Sequence, residues 1–174
     1  MVTVTAETSL PSSVDEAWTA LGRRSTYFYF PGLSSAANGA PGGALAHVLD
    51  LPIVEPHEQT AVLKVGRVGR PGADGRRERR FTVRGELVTI AGRWRIEPAD
   101  GGVRVHLTLD YAIAPALKEH AVNTLRSRSP LPIRTDADAI LSRAVDEYFE
   151  TRFAEHAAAY CERLRERLGS PRAS

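Results

Sequence analysis

The chain has a single cysteine, Cys161, in 174 residues. No disulfide can form within it, which excludes a small secreted scaffold stapled by cystines. No apolar run approaches the roughly 18 residues that a membrane-spanning helix requires. Charge of one sign is scarce too: the net balance is +2, too little to mark a nucleic-acid binder by itself. Only two of the 23 basic residues, Lys64 and Lys118, are lysines. We read that bias toward arginine as GC-rich coding and draw no function from it. The opening residues, MVTVTAETSL, lack a basic n-region and an apolar h-region, so they are not read as a signal peptide. The expected compartment is the reducing cytoplasm. What remains is ordinary: 43% apolar and 25% charged residues suit a globular protein. A chain this long buries about 70% of the surface it exposes when unfolded and needs no staples. One domain over residues 1–168 is expected, with 169–174 a disordered tail.

Hydrophobic periodicity gives the order of elements. Residues 2–10 alternate, with Val2, Val4, Ala6 and Leu10 on one face. Pro11 ends that strand, and Ser12 or Ser13 caps a short helix carrying Val14, Ala17, Trp18 and Leu21 on one side. An aromatic cluster, YFYFPGLSS at 27–35, is broken by Pro31 and Gly32. AANGAPGG (36–43) is loop. Strand patterns return from Ala44, where Leu45, His47, Leu49 and Leu51 share a parity, and Pro52 and Pro56 bracket an extended piece. Further strands are expected at 61–68, 80–85, 88–98 and 103–112, with a Gly- and Arg-rich turn at 70–79. Asp100–Gly101–Gly102 reads as a hairpin turn. Val103, Val105, Leu107, Leu109 and Tyr111 face one way, and Arg104, His106, Thr108 and Asp110 the other. A short helix fits 116–127, and Pro130 and Pro132 interrupt it. A long helix capped by Thr135 or Asp136 then runs to about Leu168, where Gly169 and Pro171 stop it. Its apolar side carries Leu141, Val145, Tyr148, Phe149, Phe153, Tyr160 and Leu164.

One strand, short helices, about six more antiparallel strands and one long helix make an α+β protein. A sheet with a single apolar face needs a cover, and only the last helix is long enough. A sheet bent around one helix leaves a gap suited to a small molecule. At this point LPSSVDEAWTAL, YFPGLSS and GRWRIEPADGGVRVHLTLDY, together with the long terminal helix, resemble the SRPBCC (START/Bet v 1-like) superfamily, in its polyketide cyclase/dehydrase and lipid-transport branch. The resemblance implies a helix-grip fold, a curved antiparallel sheet wrapped around a long C-terminal helix with short helices after the first strand. It also implies a hydrophobic cavity. It does not imply one reaction. The Arg-rich hairpin at 67–80 and the 113–135 connection are longer than that pattern leads one to expect.

The candidate chemistry is sparse. His156 sits near the inward side of the long helix, between Phe153 and Tyr160, and His47 points inward from its strand; each is a candidate general base or a satisfied structural histidine. Tyr111 and Tyr148 offer phenols to a ligand carbonyl or enolate, or are core tyrosines bonded to backbone. Those four are the candidate catalytic residues. Trp94, Leu107, Leu109, Phe81, Phe149, Phe153, Tyr160 and Phe30 are candidate cavity walls or plain core. Arg152 would meet a carboxylate ligand or stay at the surface. His106 should face water, His57 and His120 fall in loop-like or surface helical context, and Trp18 and Cys161 look like plain packing. Arg93 and Arg95 should face solvent. No metal-ligand spacing is present, so no metal and no cofactor are expected. The six arginines of 67–80 lack interleaved aromatics, so a solvated hairpin is favoured over a nucleic-acid surface.

Three functions are carried forward. The leading one binds a small hydrophobic or aromatic molecule, polyketide-, isoprenoid- or lipid-like, in an internal cavity. The alternative is a cyclase/dehydratase-type enzyme acting on such a ligand by general acid/base chemistry. A third is a partner-binding adaptor using the outer face or the Arg-rich hairpin. No nucleic acid and no membrane span are expected among the partners; a homodimer stays open.

Overall fold

The structure, a computed structural model, describes residues 1–35, 44–49, 57–66, 72, 75–128 and 137–169. Among these residues seven strands form one antiparallel sheet: β1 (Val2–Leu10), β2 (Leu33–Ser35), β3 (Ala44–Leu49), β4 (His57–Val65), β5 (Arg77–Arg84), β6 (Val88–Ala99) and β7 (Gly102–Ile113). Their spatial order is β1-β7-β6-β5-β4-β3-β2. Strands β2 to β7 lie beside their sequence neighbours, and β1 returns to pair with β7, Val2 opposite Tyr111 and Leu10 opposite Val103.

Alternation sets which face is covered. In β7 the side chains of Val103, Val105, Leu107, Leu109 and Tyr111 are all buried, and their neighbours of opposite parity lie on the outer face. There Thr3 Oγ1 donates to Asp110 Oδ1 at 2.7 Å, and His106 lies 3.3 Å from Glu7. In β6 the inward row is Val88, Ile90, Trp94 and Ile96, all buried. Gly92 falls in the same row, opposite Phe81 of β5. A Cβ at Gly92 would overlap the Phe81 ring, so the glycine is where that ring crosses the sheet.

Helix α1 (Val14–Leu21) follows β1. Its start is a capping box: the Ser13 N–H donates to Glu16 Oε2 at 2.8 Å, and the Glu16 N–H donates to Ser13 Oγ at 3.3 Å. A 3₁₀ helix, Arg24–Tyr29, then leads into β2. Gly32 has φ of 80°, and its carbonyl accepts from the Val48 N–H at 2.9 Å. A side chain there would run into the Val48 carbonyl, so glycine permits both the turn and the close approach of β2 to β3.

After β7 come α2 (Pro115–Arg128) and α3 (Ala137–Gly169). The 33 residues of α3 reach about 50 Å at 1.5 Å per residue. The helix packs along β1 and against α2. It buries Leu141, Val145, Phe149, Phe153, Ala157, Tyr160, Cys161 and Leu164 toward the concave side of the sheet. Each large apolar side chain so buried contributes about 1.5–3 kcal/mol. Side chains four or three apart on a helix lie one above another, which is why this stripe is continuous.

Several boundaries move. The strand expected at 61–68 runs over 57–65, so His57 opens a strand instead of sitting in a loop. The aromatic cluster begins in the 3₁₀ helix, and the strand expected from 80 starts at Arg77. The loop 36–43, the piece between Pro52 and Pro56, Leu51, most of the 67–74 hairpin, the segment with Pro130 and Pro132, the caps Thr135 and Asp136, and the tail beyond Gly169 lie outside the described residues.

Candidate functional site

The inward side of β3 presents Leu45, His47 and Leu49. His47 is 4% exposed, and burial, reinforced by the charge of His156 on α3, lowers its pKa from 6.5 to about 4. The ring is therefore neutral at physiological pH. Its neighbour across the ladder is Gln59 of β4, also buried. Gln59 Oε1 accepts from the Leu87 N–H at 2.8 Å and from the Val88 N–H at 3.4 Å. Gln59 Nε2 donates to the Val88 carbonyl at 3.3 Å and lies 3.1 Å from His47 Nδ1. One buried amide thus holds the β5–β6 turn and the histidine together. Gly85 in that turn makes room for it, since a Cβ there would overlap the Gln59 amide.

Aromatic rings occupy the space between the middle of α3 and strands β5 to β7. Tyr111 stacks on Phe153 with centroids 3.9 Å apart and planes within 2°. Phe149 and Phe153 stack at 5.8 Å. Trp94 meets Tyr160 edge to face at 5.3 Å and stacks on Phe81 at 6.2 Å. Phe30 meets Tyr160 at 5.3 Å and His156 at 6.3 Å. Such pairs add about 0.5–1.5 kcal/mol each beyond the area they bury. In this zone, where the sequence led one to expect a hollow, the space belongs to the protein's own rings.

Of the four candidate acid/base residues, His47 and His156 are brought into electrostatic range of each other. Tyr111 is fully buried, its pKa driven upward by desolvation, and its hydroxyl has no hydrogen-bond partner among the described residues. Tyr148 is half-buried at the edge of the same cluster, with its ring 5.9 Å from that of Phe149. Trp94, Leu107, Leu109, Phe81, Phe149, Phe153, Tyr160 and Phe30 all lie in the buried interior. The Tyr160 hydroxyl donates to the Thr26 carbonyl at 3.2 Å, so it ties α3 to the 3₁₀ helix. The Tyr27 hydroxyl likewise donates to the Leu21 carbonyl at 3.0 Å. Arg152 pairs with Glu155 at 2.8 Å. His106 lies on the outer face, and His120 is exposed on α2.

The reading of the Arg-rich segment as wholly solvated is corrected. Arg79 is 8% exposed, with its guanidinium 4.1 Å from the centre of the Trp18 ring. Arg77 lies 5.6 Å from the same ring and pairs with Asp15. Both share the inward parity of Phe81 and Val83 on β5. Starting that strand three residues earlier puts two arginines under α1 instead of in a turn. Cation–π contact and long apolar stems make the burial tolerable. Gln59 escapes sequence reasoning for the same reason: a strand beginning at 61 leaves it out, whereas in one beginning at 57 the parity of Ala61, Leu63 and Val65 points it inward. A polar groove of about 250 Å³ between Met1, Val2, Thr3, Lys118, Asp146 and Glu150 involves none of the candidate residues.

A seven-stranded antiparallel sheet curled around one long C-terminal helix, with short helices after β1, is a helix-grip fold, as expected from the sequence. No protein-family model and no curated protein sequence matches the chain. Among solved structures, TTHA0849 from Thermus thermophilus is similar with a TM-score of 0.51 and 16% identity, over 94% of this chain and 97% of that one. Ara h 8.0201 aligns with a TM-score of 0.39 and 15% identity, over 88% and 97%. The di-domain ARO/CYC StfQ from the steffimycin biosynthetic pathway aligns with a TM-score of 0.43 and 17% identity, over 88% of this chain and 52% of that one. At 16% identity the likeness to TTHA0849 is one of fold alone. Among the described residues no helix is long and apolar enough to cross a membrane, and no group of three or more potential ligands is arranged to hold a metal ion.

Proposed function

We propose that this chain binds a small apolar or aromatic molecule, polyketide-, isoprenoid- or lipid-like, in the interior between α3 and the concave face of the sheet. The observation that carries the reading is the Tyr111 hydroxyl, buried and without a hydrogen-bond partner among the described residues. An unmade hydrogen bond in a buried place costs about 1–3 kcal/mol, and a ligand oxygen would recover it. The Tyr111–Phe153–Phe149 stack then serves as one flat wall, and the occupant lies against it on the side of His47 and His156. Titration with 1-anilinonaphthalene-8-sulfonate, followed by displacement with aromatic ketones, tests this. Saturable one-to-one binding is expected, weakened about fivefold by Tyr111→Phe for ligands with a polar atom. Absence of saturable binding overturns it.

A second reading is a cyclase/dehydratase-type enzyme working on such a ligand. It is favoured by the neutral state of His47 and its coupling to His156, because a neutral imidazole is a competent general base. Offered a poly-β-ketone substrate, an enzyme of this kind loses turnover in His47→Phe and His156→Phe while still binding. A protein that binds and never turns over is a carrier.

A further inference from the structure

Gln59 fixes more than the position of His47. Its amide cannot be turned round: Oε1 must face the Leu87 N–H, at 2.8 Å, and Nε2 must face the Val88 carbonyl, at 3.3 Å. The atom directed at His47 Nδ1, 3.1 Å away, is therefore an N–H donor. A donor can only be met by a lone pair, so Nδ1 carries no hydrogen and the ring proton resides on Nε2. Nε2 is the ring nitrogen farther from the backbone, and β3 directs this side chain inward with Leu45 and Leu49. Two backbone groups of the β5–β6 turn thus dictate, through one amide, which hydrogen-bonding face the imidazole turns to the interior.

We propose that Gln59 is a positioning residue that locks His47 as the Nε2–H tautomer, so that the interior offers a hydrogen-bond donor and selects ligands bearing a carbonyl or ether oxygen over pure hydrocarbons. This rests on the binding function proposed above and adds the chemical class of the ligand. A neutral imidazole free to choose its tautomer would serve either kind of ligand group; a locked one discriminates between them.

Long-range ¹H–¹⁵N spectra of the full chain at neutral pH report the tautomer directly. Nε2 should be protonated and Nδ1 bare; the reverse, or a mixture of the two, overturns the proposal. Binding of two probes of one shape, 9-fluorenone with its carbonyl and fluorene without it, reads the consequence. Fluorenone should bind about five- to tenfold more tightly. Gln59→Glu keeps an acceptor for the turn but places a carboxylate oxygen at Nδ1. The proton should move to Nδ1 in the spectrum, and the preference for fluorenone should vanish while fluorene binding is retained. His47→Phe, which keeps a ring and removes the donor, should erase the same preference if the glutamate variant does not fold. Equal binding of both probes to the native chain overturns the tautomer-based selection alone. Failure of both probes and of the dye overturns the binding function and this inference with it.

Discussion

Acidification should unfold this protein along a curve that one buried histidine shapes. His47 titrates near 4 in the folded state because burial, helped by the charge of His156, disfavours the imidazolium; in the unfolded chain it titrates near 6.5. Above pH 6.5 both states are neutral and the difference costs nothing. As the pH falls through 6.5 the unfolded chain takes up a proton that the folded one refuses, so stability is lost at about 1.4 kcal/mol per pH unit. The loss levels off near pH 4, where the folded state also protonates, and amounts to about 3 kcal/mol in total. That is a large part of the 5–15 kcal/mol typical of a domain. Urea unfolding at pH 7.5, 6.5, 5.5 and 4.5 measures it. His47→Gln keeps an acceptor for Gln59 but cannot titrate, so its stability should fall less steeply over the same window, by the amount calculated. Parallel curves for the native chain and the variant would refute the reasoning. They would mean that His47 is wet or that the acid sensitivity lies in carboxylates.

Other outcomes follow from the packing. Phe153→Ala removes a ring stacked on both Tyr111 and Phe149 and should cost about 3–5 kcal/mol, read as a lower midpoint in thermal or urea unfolding. Gly92→Ala puts a methyl group where the Phe81 ring lies, and should cost about 1–3 kcal/mol by overpacking despite the small size of the change; a neutral result would mean that the ring is free to move. Arg79→Ala should loosen α1 by losing the Trp18 contact, by about 1–2 kcal/mol, with a change in Trp18 fluorescence as the local signal. Cys161 is buried with its pKa pushed up to about 12, mainly by desolvation, so iodoacetamide should leave the native chain unlabelled at pH 8 and label it promptly in urea.

Elements with a strong period were legible in the sequence. The ten-residue alternation from Val103 to Ala112, the apolar stripe from Leu141 to Leu164 and a serine cap at Ser12 or Ser13, which the fold places at Ser13, each rest on a local rule that tertiary contacts did not override. The strand starts at His57 and Arg77 were not legible, because Glu58, Gln59, Arg77 and Arg79 look like solvent-facing residues until their partners are known. Gln59 is buried only because the turn before Val88 offers it two N–H groups and a carbonyl. Arg79 is buried only because Trp18 lies over it. For the same reason the inward aim of His47 could be read from parity, whereas its neutral state could not: that depends on how deeply the fold buries the ring and on His156, far away in the chain. The filling of the interior was equally hidden, since periodicity says which rings face inward and not how closely they meet.

The pairing of β1 with β7 has a bearing on how the chain acquires this shape. Thr3 bonds to Asp110, 107 positions further along the chain, and α3 lies against the same strand. While strands β2 to β7 can zip up hairpin by hairpin, β1 must wait, unpaired along both edges, until the final hairpin is made. Such distant closure slows the search and leaves an exposed edge on which chains can associate. Recovery from denaturant should therefore fall as protein concentration rises, and a mutation that speeds the β6–β7 hairpin should rescue yield more than one that merely tightens the finished core.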